Sequence, residues 1–146
     1  MATLATTTAG TIIAISASLP ASYNSTGFSA LTYTSIGEVT DIGDLGKTYN
    51  SITHNNLADR KTYKLKGNYN NGTMSLSLAS APSDAGQAIA LTALDDDDDY
   101  SFKITDQDGS VHYFTGKVMS YVVSRASEAV KSASVSIEVN SDIVDV

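Results

Sequence analysis

Three short stretches, TMSLSLA at 73–79 (over Thr73 to Leu78), YSFKIT at 100–105 and SVSIEV at 134–139, alternate apolar and polar residues. A period of two puts the apolar side chains of a strand on one face, so each stretch is a strand with one buried side and one wet side. The tetrapeptide DQDG holds the Asp-Gly pair favoured where a tight hairpin needs positive φ. It predicts that Tyr100–Thr105 hairpins with Val111–Val123. The Asn71-Gly72 pair in YNNGT predicts a second hairpin, Tyr63–Asn68 with Thr73–Ala79.

One helix interrupts the strands. Pro82 ends the preceding strand, Ser83 or Asp84 can cap, and Gln87 stands three residues after Asp84 in the capping-box arrangement. Ala85, Ala88, Ile89 and Thr92 then share one side at helical spacing, which predicts a short helix laid on a sheet by that side. Five consecutive aspartates, Asp95, Asp96, Asp97, Asp98 and Asp99, follow at once. The C-terminal end of a helix is already the negative pole of its macrodipole, so the run stops the helix and forms a loop.

The first half reads differently. MATLATTTAG is low-complexity Ala/Thr, and no basic residue precedes Lys47. The opening residues, 1–20, are expected to form an extended arm without a core partner of its own; the stretch lacks the basic flank and the long apolar run of a secretory leader. Residues 37–60, punctuated by Gly37, Gly43 and Gly46, are expected to be a long interaction loop. A chain of 146 residues suits one domain over 1–146. It holds no cysteine, so stability must come from packing and subunit contacts rather than disulfides. No stretch approaches the roughly 20 apolar residues that span a bilayer, and no membrane partner is expected.

Motifs that promise chemistry fail on inspection. GDLGKT ends like a phosphate loop, but Asp41 stands where the first glycine belongs, and the following residues are β-branched and polar where a helix is needed. DQDG starts like a calcium loop, but Thr115 stands where its last acidic ligand belongs. His54 and His112 lie in no nucleophile or zinc motif and are read as surface or packing residues. No catalytic residue, metal ligand or cofactor site is expected. The net charge of −7 disfavours a free nucleic-acid binder, since Lys and Arg supply most non-specific affinity for phosphates. The single basic cluster is Arg60, Lys61, Lys64 and Lys66 in ADRKTYKLKGNY. On a strand, Arg60, Thr62, Lys64 and Lys66 point one way and Tyr63 and Leu65 the other, and three readings stay open: a nucleic-acid patch, which the acidic remainder of the chain disfavours, a complement to an acidic surface on another copy of the chain, or a plain exposed strand face.

The order of the pieces SIGEVTDIGDLG, ITHNNLADRKTYKLKGNYNNGTMSLSLA, SDAGQAIALTAL, YSFKITDQDGSVHYFTGKVMSYVVS and ASVSIEVNSDIV resembles the major tail tube proteins of long, non-contractile tailed bacteriophages. The resemblance covers about Tyr33 to Val144. Its most telling parts are the lysine-glycine hairpin, the D-x-G-Q helix start at Asp84, Gly86 and Gln87, and the Asp-Gly hairpin followed by FTGKV.

The resemblance implies a mainly β, sandwich- or barrel-like fold with one flanking helix, related to the tubes of contractile phages and type VI secretion. It implies a structural virion protein of the tail, assembled in the host cytoplasm, whose rings, typically hexameric, stack into a conduit for DNA. Partners implied are further copies of itself, a tape measure protein and tail terminator or tip proteins, with DNA passing the lumen without specific binding. On that reading the polar face Ser134, Ser136, Glu138 and Asn140 is a candidate lumen surface carrying one negative and no positive charge. Arg60, Lys61, Lys64 and Lys66 and the run Asp95 to Asp99 are candidate inter-subunit groups. The alternative is a monomeric β-sandwich module that binds carbohydrate or a host receptor. That reading needs an exposed aromatic cleft, and the chain has no tryptophan.

Overall fold

The computed structural model describes residues 7–146. The chain runs β1 (Ile12–Ser16), α1 (Ser25–Ser29), β2 (Thr34–Ser35), β3 (Val39–Asp41), β4 (Thr48–Asn56), β5 (Lys61–Asn70) and β6 (Thr73–Ala79), then α2 (Ala85–Leu94), β7 (Tyr100–Thr105), β8 (Val111–Ser124), β9 (Ser132–Val139) and β10 (Val144–Asp145). Eight strands form one antiparallel sheet in the order β2-β1-β7-β8-β9-β6-β3, with β10 also on β8. The remaining two, β4 and β5, pair only with each other. The mainly β fold is thus a half-barrel sheet flanked by short helices, α2 as expected and the one-turn α1 in addition.

Alternation decides the packing. Ile13 and Ile15 of β1, Phe102 of β7, Phe114 of β8, Val135 and Ile137 of β9 and Met74, Leu76 and Leu78 of β6 all face one side and are buried. Phe102 and Phe114 are direct cross-strand partners with rings stacked at 5.2 Å. Helix α2 closes this side. On the reverse side Phe28 of α1 stacks on Tyr113 at 5.4 Å and seals only the β1-β7-β8 end of the sheet. Strands β9 and β6 keep a polar reverse face.

The β7-β8 hairpin forms as the turn residues predict, with Gly109 at φ 92° and its N–H donating to the Asp106 carbonyl at 3.0 Å. The expected hairpin of residues 63–68 with β6 does not form. Strand β5 pairs with β4, while β6 pairs with β9 in the register Met74↔Ile137, Leu76↔Val135 and Leu78↔Ala133. The reason is burial: β6 has an apolar row that must lie beside another apolar row, and β5, exposed along nearly its whole length, cannot supply one. Gly72, at φ 81°, instead joins the outward hairpin to the main sheet.

Two boundaries also shift. Within the expected arm, residues 12–16 are the core strand β1, fully paired with β7 from Ile12↔Thr105 to Ser16↔Ser101. Residues 1–6 of that arm lie outside the described residues. Within the expected loop 37–60, β3 docks on β6 and β4 is half of the exposed hairpin.

Helix α2 begins at the expected residue, with Asp84 as N-cap accepting from the Gln87 N–H at 3.0 Å. Its buried side is not the expected one. Ala85, Ala88 and Thr92 are exposed, and Gly86, Gln87, Ala90 and Ala93 face inward. The buried side carries the smallest residues because the helix lies directly on the chain entering from β2. A Cβ on Gly86 would come within 2.3 Å of the Ser35 carbonyl oxygen and 2.6 Å of the Ile36 Cα.

Gln87 does not complete a capping box but ties three segments together. Its Nε2 donates to the carbonyls of Gly37 and Ala79, both at 3.0 Å, and its Oε1 accepts from the Ala81 N–H at 2.9 Å and from the Tyr121 hydroxyl at 3.2 Å. Every donor and acceptor of the buried amide is used. Replacing Gln87 with Leu strands three backbone groups, so urea denaturation should show a loss of about 2 kcal/mol or more. A loss under about 0.5 kcal/mol would mean that water reaches these groups.

Candidate assembly surfaces

The residues expected to act in assembly lie on three surfaces: the polar reverse face of β9, the acidic loop after α2, and the hairpin β4-β5. On β9, Ser134, Ser136 and Glu138 alternate with buried Ala133, Val135, Ile137 and Val139, and Asn140 follows the strand's end. Their cross-strand partners are Ser77, Ser75 and Thr73 on β6, and Val122, Ser120 and Lys117 on β8. The face is mostly hydroxyls, with exposed Val122 at one end and charges at the other. Beside Ser134, Ser136, Glu138 and Asn140, which carry one negative and no positive charge, Lys117 of β8 stands opposite Glu138.

That lysine is engaged elsewhere. Its Nζ lies 2.6 Å from Asp99 Oδ1 and donates to the Asp97 carbonyl at 2.7 Å. The bond to Asp99 holds the Lys117 ammonium above its ordinary range. Asn140 Nδ2 also donates to Asp99 Oδ1, at 3.1 Å. The acidic loop is therefore stapled to the charged end of the β9 face through its last residue. The signal was present in the chain. Extending the hairpin register Thr105↔Val111 back through Tyr100↔Gly116 sets Asp99 opposite Lys117.

The rest of the loop is open. Helix α2 ends at Leu94, as the aspartate run predicts, and Asp95 to Asp98 are exposed. Asp96 accepts from the Asp98 N–H at 3.1 Å and from the Tyr100 hydroxyl at 3.2 Å. Partial burial, and then this bond to Asp96, raise the Tyr100 phenol above its usual value. Among the described residues no cation pairs with Asp95 to Asp98.

The basic cluster lies on the hairpin, which stands clear of the sheet. Arg60 sits in the turn with φ 55°, not on the strand, while Lys61, Lys64 and Lys66 are on β5. Lys61 lies over the Tyr63 ring at 5.3 Å and Lys66 over the Tyr49 ring at 5.0 Å. At the hairpin's base Tyr49 and Tyr69 pack at 5.4 Å, Lys47 lies over Tyr69 at 4.3 Å, and the Tyr69 hydroxyl donates to Asp142 at 2.9 Å. Leu57, Ile52 and Leu65 are exposed along it. Among the described residues no ion pair joins the cluster to the acidic loop of the same chain.

His112 is neither a plain surface nor a packing residue. Its Nδ1 lies 2.5 Å from Asp145 Oδ1 and its Nε2 2.8 Å from Asp106 Oδ2. The ring thereby links the β7-β8 turn to strand β10, where Val146 and Val111 exchange backbone hydrogen bonds. Partial burial would lower its pKa, but the bonds to Asp145 and Asp106 outweigh it and the net shift is upward. A raised pKa means that the charged bridge stabilises the fold fully below the ordinary histidine value of about 6.5 and fades as pH rises through the shifted one. NMR should find the His112 ring titrating above about 6.5, with the amides of β10 losing protection above that midpoint. A midpoint at or below the ordinary value would break the bridge argument.

A family model described as lambda phage tail tube protein, TTP, matches residues 18–143. No curated protein matches the chain. Among solved structures, the chain is similar to one in the six-fold symmetrised baseplate of the anti-feeding prophage, with a TM-score of 0.72 and 11% identity over 100% of this chain and 97% of that one. It is similar to the SPP1 tail tube, with a TM-score of 0.66 and 13% identity over 92% of this chain and 75% of that one. A chain of the native gene transfer agent virion gives a TM-score of 0.65 and 11% identity over 78% and 88%.

Proposed function

The chain belongs to the lambda phage tail tube protein family, and we propose that copies of it close into rings, six to a ring, that stack into the conduit through which DNA leaves the capsid. It is a structural, tube-forming protein of the virion tail and not an enzyme. Six-fold symmetry is printed for the anti-feeding prophage baseplate, and the proposal carries it to this chain. The family also disfavours the monomeric binding module.

The observation that carries the reading is a sheet with unfinished edges. Edge strands β2 and β3 are only two and three residues long, and among the described residues β6 has no strand beside Thr73 to Leu76 on its β3 side. Ring closure that joins such edges between copies removes them. The reverse face of β9 then fits a lumen. Ser134, Ser136 and Asn140 offer hydrogen bonds but no charge, Glu138 adds one negative charge that repels phosphate, and Lys117 is held by Asp99. A phosphate backbone passing this wall displaces few counterions and gains little affinity. The tape measure and the terminator or tip proteins are the partners this placement calls for, at the inside and the ends of the tube, with assembly in the host cytoplasm.

The exposed run Asp95 to Asp98 and the cluster Arg60, Lys61, Lys64 and Lys66 act between copies, as long-range attraction that brings subunits together. Exposed charges are screened within about 10 Å at 0.1 M salt, so their effect belongs to association rate more than to subunit stability. Purified protein should form hollow tubes under negative stain without cofactor or nucleotide; monomers at every concentration would reject the reading. Changing Asp95 to Asp98 to asparagine, with Asp99 kept for Lys117, should slow assembly followed by light scattering at low salt and leave it unchanged at high salt. Equal rates at both salt levels would leave the run without a role in assembly.

A further inference from the structure

We propose that Asn71 is a site of self-modification: the Asn71-Gly72 link closes to a cyclic imide and reopens as isoaspartate or aspartate, with Asn70 as the brake on the reaction. The inference rests on the chemistry of this joint and holds whether or not copies form tubes. Asn71 and Gly72 are the whole connection between β5, which ends at Asn70, and β6, which starts at Thr73. Of the eight asparagines in the chain, only Asn71 precedes a glycine. Asparagine is a thermolabile residue, and a following glycine leaves the attacking nitrogen unshielded. The space at Gly72 is open as well: a Cβ there would meet only the Gly46 carbonyl oxygen, at 4.0 Å.

The carboxamide of Asn71 differs from its neighbours. Its Oδ1 is buried and accepts from no group of the chain, alone among the described side chains. The carboxamides of Asn24, Asn56, Asn70 and Asn140 are all hydrogen-bonded. A bonded carboxamide must give up its partner before it reacts, whereas the Asn71 oxygen has none to lose. The restraint lies on the nitrogen instead. The Gly72 N–H donates to Asn70 Oδ1 at 2.8 Å, and this bond must break before the nitrogen turns to Asn71 Cγ.

The reaction needs only water. The Gly72 nitrogen bonds to Asn71 Cγ, its proton leaves with the Asn71 Nδ2 group as ammonia, and the cyclic imide remains. Water then adds to one imide carbonyl and breaks that carbon's bond to nitrogen. Opening at Cγ leaves aspartate; opening at the backbone carbon leaves isoaspartate, whose main chain is one carbon longer. The product falls at the root of the exposed hairpin, where the Val139 N–H donates to the Gly72 carbonyl at 3.1 Å and Asp142 holds Tyr69. An extra main-chain carbon between Asn70 and Thr73 puts these two ties out of register. Either product also adds a carboxylate beside Asp41 and Asp142, which line one cleft with Asn71. A buried, unpaired carboxylate is strongly disfavoured, so the new group swings out to water and the hairpin loses its fixed angle to the sheet.

Protein kept in warm, mildly alkaline buffer and then digested with trypsin tests this. The peptide from Gly67 to Lys103 carries Asn68, Asn70 and Asn71, and electron-transfer fragmentation separates isoaspartate from aspartate. Deamidation should appear first at Asn71, as a mixture of both products, and several-fold faster than at any other asparagine. Asn70→Ala should speed it several-fold further, while Asn70→Asp, which keeps an acceptor for the Gly72 N–H, should hold the wild-type rate. Aspartate without isoaspartate would mean direct hydrolysis with no imide and would overturn the proposal. An Asn71 that reacts no faster than the other asparagines, or equal rates in the Asn70→Ala and Asn70→Asp variants, would overturn it as well.

Discussion

The side-chain amide of Gln87 is the interaction on which the arrangement of this sheet depends. It is 1% exposed and holds together the chain after β2, the end of β6, the start of α2 and the middle of β8. Asp84 adds a second tie, accepting from the Gly37 N–H and the Gln87 N–H at 3.0 Å each. Without these bonds, three irregular backbone groups would be buried unpaired at the place where the helix must approach the chain most closely. The same closeness requires Gly86. The D-x-G-Q start of α2 is thus a structural knot, and its polar atoms serve the fold rather than any chemistry.

With the helix pinned on one side, the two faces of the sheet take different roles. The core side is sealed along its length, whereas the reverse side is sealed by Phe28 only over β1, β7 and β8. What stays open is mostly hydroxylated apart from Val122, with its few charges gathered where Glu138, Lys117, Asp99 and Asn140 meet. Charge is segregated on a larger scale as well. The hairpin collects four of the nine basic residues, and the body keeps nearly all of the acid. An isolated two-stranded hairpin is marginal in water, and here it is braced at its base by aromatic and cation contacts rather than by a core.

Where the fold departs from the local signals of the chain, competition for buried surface decides. The β5-β6 hairpin was favoured by adjacency and by Asn71-Gly72, yet the apolar row Met74, Leu76 and Leu78 matched Ile137, Val135 and Ala133, more than fifty residues away. The face of α2 was misjudged because alanines and aliphatic residues occur all round it. Burial went to Gly86, Ala90 and Ala93 because only small residues let the helix reach the Ser35–Ile36 backbone. Strand β1, Ile12–Ser16, is too short to stand out beside an Ala/Thr stretch, and only its pairing with β7 makes it core. The bridge at His112 needed both Asp106 and the distant Asp145, which no local spacing reveals.

The sequence by itself determined everything that one segment can decide alone. The alternation of β6, β7 and β9, the Asp-Gly turn of β7-β8, the cap at Asp84, the helix stop at the aspartate run and the separation of basic from acidic stretches all follow from local sterics, dipoles and periodicity. Only the tertiary structure decided which strand lies beside which, which side of α2 faces inward, that Lys117 takes Asp99, and that residues 48–70 leave the sheet as an exposed arm. These are outcomes of competition for a limited buried surface. Several segments could satisfy each local rule, and the winner is the one whose apolar row, small side chains or free hydrogen-bonding groups match a partner far away in the chain.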